Sequence, residues 1–222
     1  MNLQLLWLLI FLLLLVVLIG ISELLHRKLK VKPEHSRKFL HVSGGLMCLL
    51  FPSIFDSHWW LLALAVTAFS ILLITYRKKL LPSVHQTKRY TLGSVLFPIP
   101  VYLCFLFAEF QQNNLFFYIP VSLLAISDTA AEIGGTTWGH KTKQFFDGQK
   151  TLAGSISFFL TAFLVCFIWL NVVALFPAAE AIKMSLFISL CTAFAETITL
   201  HGWDNLSVPA VATGVLYSFL YI

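Results

Sequence analysis

Between Leu3 and Ile222 the chain repeats one pattern, an apolar stretch close to bilayer length followed by a short polar connection. Such runs constrain the fold more than any motif does. A backbone in hydrocarbon must satisfy its N–H and C=O groups within its own segment, and a helix does so. At about 1.5 Å per residue, the roughly 30 Å core takes about 20 residues to cross. Eight runs approach that length: 3–22, 39–55, 58–76, 91–108, 115–133, 152–175, 182–200 and 207–222. The second and last are short, and Pro98 and Pro100 are expected to kink the fourth. The reading is therefore seven or eight transmembrane helices, seven leaving one re-entrant segment. The fold class is expected to be all-α, a polytopic integral membrane protein, with residues 1–222 forming a single membrane-embedded domain.

Composition supports this, since 59% of the 222 residues are hydrophobic and 11% are charged, which excludes an ordinary soluble domain. The first run is too long for a signal-peptide core and lacks both a basic leader and a small-x-small cleavage site, so it reads as a membrane helix. Cys48, Cys104, Cys166 and Cys191 lie inside apolar runs with no C-x-x-C pair, as small packing residues do. The formal net charge is +5, but its distribution argues against nucleic acid as a partner. Arg27, Lys28, Lys30, Lys32, Arg37 and Lys38 form one cluster, Arg77, Lys78, Lys79, Lys88 and Arg89 a second, and Lys141, Lys143 and Lys150 a third. These occupy the first, third and fifth connections, as the positive-inside rule demands. Both termini then lie outside, and the seventh connection, HGWDN, lies inside. The expected location is a multi-pass position in the plasma (inner) membrane if the source is bacterial.

One stretch, Ser127 to Ser155, gathers acids, glycines and lysines in an otherwise apolar chain. Asp128 and Glu132 stand four apart, so on a helix they share a face and could hold Mg2+, which prefers oxygen ligands. Gly134, Gly135 and Gly139 allow backbone to approach a bound group, and the lysines beyond supply positive charge. GTTWGHKT looks like a phosphate-binding P-loop but fails the pattern, because His140 separates Gly139 from Lys141 and a membrane helix precedes it. Lys150, Thr151, Gly154 and Ser155 are the better phosphate candidates, since they open a helix whose N-terminal N–H groups attract anions.

Depth links this stretch to others. A helix starting outside at Leu115 reaches Asp128 after about 20 Å, and one starting at Ile182 reaches Glu196 after about 21 Å. An acid in a membrane helix costs roughly 2.5 to 3.5 kcal/mol near the centre, so acids at one depth point to a site. Arg37 and His41, at i and i+4, share a helix face at the same level, with Lys38 beside them. Asp204 and Asn205 follow Glu196 across a short connection; the ordinary alternative for them is a helix N-cap. Asn205-Leu206-Ser207 matches the glycosylation triplet but falls on the cytoplasmic side. Acids for a metal and lysines for phosphates at a membrane edge indicate phosphoryl or nucleotidyl transfer involving a lipid. A transporter of an anionic solute is the rival reading, disfavoured because the outer halves of the helices carry few polar residues.

Four blocks in order then carry a resemblance: RKFLH followed by Gly45, D-x-x-A-E-x-x-G-x-x-x-G from Asp128 to Gly139, KTLAGS, and AETITLHGWDNLSVP. Together they resemble the phytol kinase and dolichol kinase family, CTP-dependent kinases of lipid alcohols related to membrane phosphatidate cytidylyltransferases. The resemblance implies that Asp128 is the metal-binding acid, with Glu132 standing where the family usually has Asp and Ser127 where it usually has Gly. It implies that Lys150 touches phosphate and that Asp204 and Asn205 complete the site; Asp128 and Glu132, with Glu196 or Asp204, are expected to hold the metal. The cytidylyltransferases resemble a pattern with Asp-Arg and a further acid in the last block, which this chain lacks. The expected function is transfer of the terminal phosphate of CTP, or another nucleoside triphosphate, to a prenol or polyprenol, with Mg2+, in a catalytic domain facing the cytoplasm. Phosphatidate cytidylyltransferase and CTP-dependent diacylglycerol kinase are the alternatives. Arg37, Lys38 and Lys150 are expected to neutralise phosphates, and Glu196 or Asp204 to accept the hydroxyl proton, with His41 a further candidate. Membrane lipids are the surroundings, and self-association into a homo-oligomer is left open.

Overall fold

The computed structural model describes residues 3–85, 92–141, 143–145 and 150–222. Lys88, Arg89 and the side chain of Lys141, named above in the basic clusters, lie outside the described residues. Among the described residues the fold is all-α apart from one ribbon of two two-residue strands, Gln144–Phe145 and Lys150–Thr151. Its helices are α1 (Leu3–Arg27), α2 (Pro33–Cys48), α3 (Phe51–Ile54), α4 (His58–Arg77), α5 (Pro82–His85), α6 (Gly93–Leu96), α7 (Pro98–Gln111), α8 (Leu115–Ser122), α9 (Asp128–Trp138), α10 (Leu152–Phe167), α11 (Ala178–Ile198) and α12 (Asp204–Tyr221). Among the described residues six helical stretches are long and apolar enough to cross a membrane: Leu3–Arg27, His58–Arg77, Gly93–Gln111, Leu115–Trp138, Leu152–Val173 and Ala178–Ile198. Of the eight expected runs, the two short ones, now α2 with α3 and α12, fall outside this set. The protein is a multi-pass membrane protein.

Several boundaries differ from expectation, each for a local reason. The run 39–55 is not one helix. It begins earlier, at Pro33, whose fixed φ suits a first helical position, and ends at Cys48 before Pro52 opens the separate turn α3. Arg37 and Lys38 thus sit inside α2 with His41 rather than before it. The fourth run divides at Phe97, with Pro98 opening α7. The last helix starts at Asp204 instead of 207, which puts Asp204 and Asn205 in its first turn, with no side-chain cap there.

The fifth crossing carries the feature that aims the site. Pro120 lies inside α8, and Leu123–Ser127 then forms a widened π-type turn leading into α9. The Asp128 N–H bonds to the Leu123 carbonyl, one residue further back than in an α-helix. The Leu124 carbonyl, displaced from that bond, accepts one from His41 Nε2 at 2.8 Å. Such wide turns recur where a helix must re-aim a functional side chain.

Small residues set how closely the helices approach. A Cβ on Gly45 of α2 would overlap Ala125 of the wide turn, and one on Gly134 of α9 would overlap the Ser157 side chain of α10. Gly139 meets Thr151 in the same way, and a Cβ on Gly154 would lie 3.0 Å from the Ala131 carbonyl. In a bilayer, where apolar surface alone gives helices no preference for each other over lipid, such close approach is the main source of helix association. The sequence reading gave Gly134, Gly135 and Gly139 the task of admitting a bound group. The structure gives Gly134 wholly to the α9–α10 contact, while Gly135 and Gly139 both touch Thr151 and line the cavity described below.

Gly45→Ala is expected to lower the thermal midpoint in detergent, at an overpacking cost of about 1–3 kcal/mol. The double variant Gly45→Ala/Ala125→Gly should recover most of the loss, since the overlapping methyl is removed from the other side.

Candidate active site

Two basic side chains and one His come from the start of α2, and four acids come from α9, α11 and α12. Lys38 Nζ lies 2.7 Å from Asp128 Oδ2 and 3.0 Å from Glu132 Oε2, and Arg37 Nη2 lies 3.1 Å from the same Glu132 oxygen. His41 Nε2 stands 3.6 Å from Asp128 Oδ2 and is oriented by its bond to Leu124. Edge-on contact with Phe97, centroids 4.9 Å apart, fixes the imidazole from the other side.

A second group forms around Lys150. The ribbon pairs Gln144 with Thr151 and Phe145 with Lys150, so a short antiparallel register holds the lysine in place. Its ammonium hydrogen-bonds Glu196 Oε1 and lies 3.0 Å from Asp204 Oδ2. Burial pulls the Lys150 pKa down, but Asp204 and Glu196 beside it more than offset this and hold it above the ordinary lysine value. Lys150 is therefore charged at neutral pH and cannot serve as a base. The next residue, Thr151, is the N-cap of α10, its hydroxyl accepting from the Gly154 N–H at 3.1 Å. Ser155 Oγ lies 2.8 Å from Thr197 Oγ1, tying α10 to α11 beside Glu196.

These groups line one cavity of about 620 Å³, within the usual size of a small-molecule site. Arg37, Lys38, His41, Asp128, Glu132, Gly135, Gly139, Lys150, Thr151, Gly154, Ser155, Glu196, Asp204 and Asn205, all singled out from the sequence, have a place on its wall, whereas Gly134 does not. Their roles within it divide. Glu132 is engaged by Arg37 and Lys38. The acids that can offer oxygens within 4.8 Å of one another are Asp128, Glu196 and Asp204. Asn205 is 4% exposed and spends its amide on the Gly93 carbonyl at 2.6 Å, anchoring the start of α12 to α6. Sequence reasoning missed Phe97 and Thr197. Phe97 is one of 21 phenylalanines and carried no signal. Thr197 sits within the matched AETITL block and could have been flagged.

The donor set fits a hard divalent cation. It is all oxygen, it converges from three helices, and Glu196 Oε2 is buried with no hydrogen-bond partner among the described residues. A buried acceptor left unpaired costs about 1–3 kcal/mol, more for a charged group, which a cation such as Mg2+ would remove. Among the described residues, four carboxylates face three basic side chains here, Arg37, Lys38 and Lys150.

A membrane transferase with paired acids and lysines at one end of its helices is the class that this fold and site define. The profile of the cytidylyltransferase family matches residues 1–197, and the chain belongs to that family. It is also similar to the phytol kinase of Synechocystis sp. (strain ATCC 27184 / PCC 6803 / Kazusa), with 27% identity over 210 residues, 90% of this chain and 86% of that protein. The resemblance read from the four sequence blocks, to phytol and dolichol kinases with cytidylyltransferase relatives, therefore holds. No solved structure matches the chain.

Millimolar Mg2+ is expected to raise the thermal midpoint of the wild-type protein over that in chelator. Asp128→Asn should abolish most of the rise. Glu132→Gln should keep it, because that side chain lies with Arg37 and Lys38 rather than among the three converging acids.

Proposed function

We propose that this protein is a lipid-alcohol kinase, moving the terminal phosphate of a nucleoside triphosphate, CTP, onto the hydroxyl of a prenol-type lipid at the cytoplasmic membrane face. The observation that carries the proposal is the convergence of Asp128, Glu196 and Asp204 on one cavity, flanked by Lys38 and Lys150. Similarity to phytol kinase supports a phosphotransferase acting on a lipid alcohol, and the family's name supports a cytidine nucleotide. The basic connections support the cytoplasmic side.

Phosphoryl transfer asks a protein mainly for positioning and charge neutralisation. Asp128, Glu196 and Asp204 would hold Mg2+, which would supply neutralisation of charge on the transferring phosphoryl group. The chain's own residues do the rest. Lys38 and Lys150 now share their charge with carboxylates, and phosphate oxygens can replace those partners without leaving a lysine unpaired. Arg37 offers a planar fork from the same turn. The N-terminus of α10, capped by Thr151, lies on the same wall beside Gly154 and Ser155 and brings the positive end of its dipole to it. The hydroxyl proton passes to Glu196 or Asp204, the two acids that share Lys150.

In Asp128→Asn, turnover is expected to fall by at least about a hundredfold, equivalent to about 2.7 kcal/mol or more of transition-state stabilisation, with the protein still folded. Normal turnover would remove Asp128 from the site. CTP labelled in its terminal phosphate should pass label to a prenol. Label from the first phosphate entering phosphatidate would instead identify a cytidylyltransferase. Sidedness has its own test: cysteines at Gln144 and Gln112, both exposed, should be labelled from opposite faces of sealed vesicles, Gln144 from the cytoplasmic one.

A further inference from the structure

The cavity is not lined by polar groups alone. Beyond His41 it continues along Leu40, Gly44, Leu15, Leu72, Val84 and Phe97. Leu15 is twelve residues before the end of α1 at Arg27, about 18 Å along the helix, so the apolar branch reaches roughly half-way into the hydrocarbon. Arg37, His41 and Gly44 follow one another at i, i+4 and i+7 on one face of α2, so that face leads from the charged end into this branch.

Gly44 and Gly45 are adjacent and both buried, yet their surroundings are opposite. Gly45 has no room for a Cβ, because Ala125 fills it. Gly44 has nothing within 4 Å of the place where a Cβ would stand. A buried backbone facing open space is uncommon in close-packed protein. Helix packing does not require a glycine at 44, whereas a long ligand passing the helix there would. The occupant must be apolar along its length and must end in a group that reaches the carboxylates. One hydrocarbon chain bearing a terminal hydroxyl meets both conditions.

We propose that Gly44 gauges the chain of the lipid acceptor: its missing side chain leaves the passage by which a single long hydrocarbon tail runs from the acids between α1, α2 and α4. This rests on the kinase reading above and adds to it a residue that sets acceptor length. Side chains of increasing size at 44 then close the passage progressively, and the longest acceptors are lost first.

The test compares kcat/KM for a five-carbon, a ten-carbon and a twenty-carbon prenol in Gly44→Ala, Gly44→Val and Gly44→Phe. Leu15→Trp narrows the same passage from α1, in case the larger variants at 44 fail to fold. Gly214→Phe is the control, since Gly214 is exposed on α12 away from the cavity and also has open space at its Cβ. The expected result is a fall of at least about tenfold in the twenty- to five-carbon ratio for Gly44→Phe and Leu15→Trp, graded through Val and Ala. Gly214→Phe should keep the wild-type ratio. An unchanged ratio in folded Gly44→Phe and Leu15→Trp, or an equal loss for all three acceptors, would overturn the proposal. Wild-type protein that phosphorylates no prenol, or phosphorylates diacylglycerol alone, would overturn the kinase reading itself, a result visible before any variant is made.

Discussion

The site depends on compensation of carboxylates among apolar helices. Glu196 is 4% exposed, and an unpaired charge at such a place is expelled from the fold or neutralised. Two lysines perform the compensation, each bridging a pair of acids. Lys38 of α2 joins Asp128 and Glu132 of α9, and Lys150 of the ribbon joins Glu196 of α11 and Asp204 of α12. Because each lysine is shared, the acids are drawn together although like charges repel. The same sharing suits the cluster to a metal and to phosphates, whose charges are opposite in sign to those of the carboxylates and lysines they would engage.

Charge pairing at these distances requires backbones close enough for short side chains to meet, and the glycines provide that. Gly45 brings α2 onto the wide turn at Ala125, which carries Lys38 and His41 to Asp128. Gly134 and Gly154 bring α9 and α10 together, which carries the ribbon and Lys150 to the same space. The widened turn before Asp128 is the third component. It moves a backbone bond by one residue and gives His41 a carbonyl to hold.

Much of this was legible in the chain. Acids stand out in apolar runs because hydrocarbon selects against them, so Asp128, Glu132 and Glu196 announce themselves without any geometry. Helix spacing put Arg37 and His41 on one face, and counting from the helix starts put Asp128 and Glu196 at one depth. What failed to show were boundaries set by single prolines, at Pro33 and Pro52, and the ribbon at Lys150, too short to leave an alternating pattern. The wide turn at Leu123–Ser127 left no trace either, since a run of Leu, Ile and Ala reads alike in an α- or a π-type turn.

The sequence by itself determined that this chain crosses a membrane several times as helices and gathers its basic clusters and intramembrane acids toward one end, because hydrocarbon demands internally bonded backbone and selects against stray charge. Only the tertiary structure decided which acid belongs with which. Asp128 and Glu132, one turn apart, look like a pair, yet Glu132 is occupied by Arg37 and Lys38 while Asp128 converges with Glu196 and Asp204 from other helices. It also separated Gly44 from Gly45, identical neighbours in the chain. A side chain's partners across a helix interface depend on the rotation and approach of two backbones, and neither is written in the periodicity of one helix.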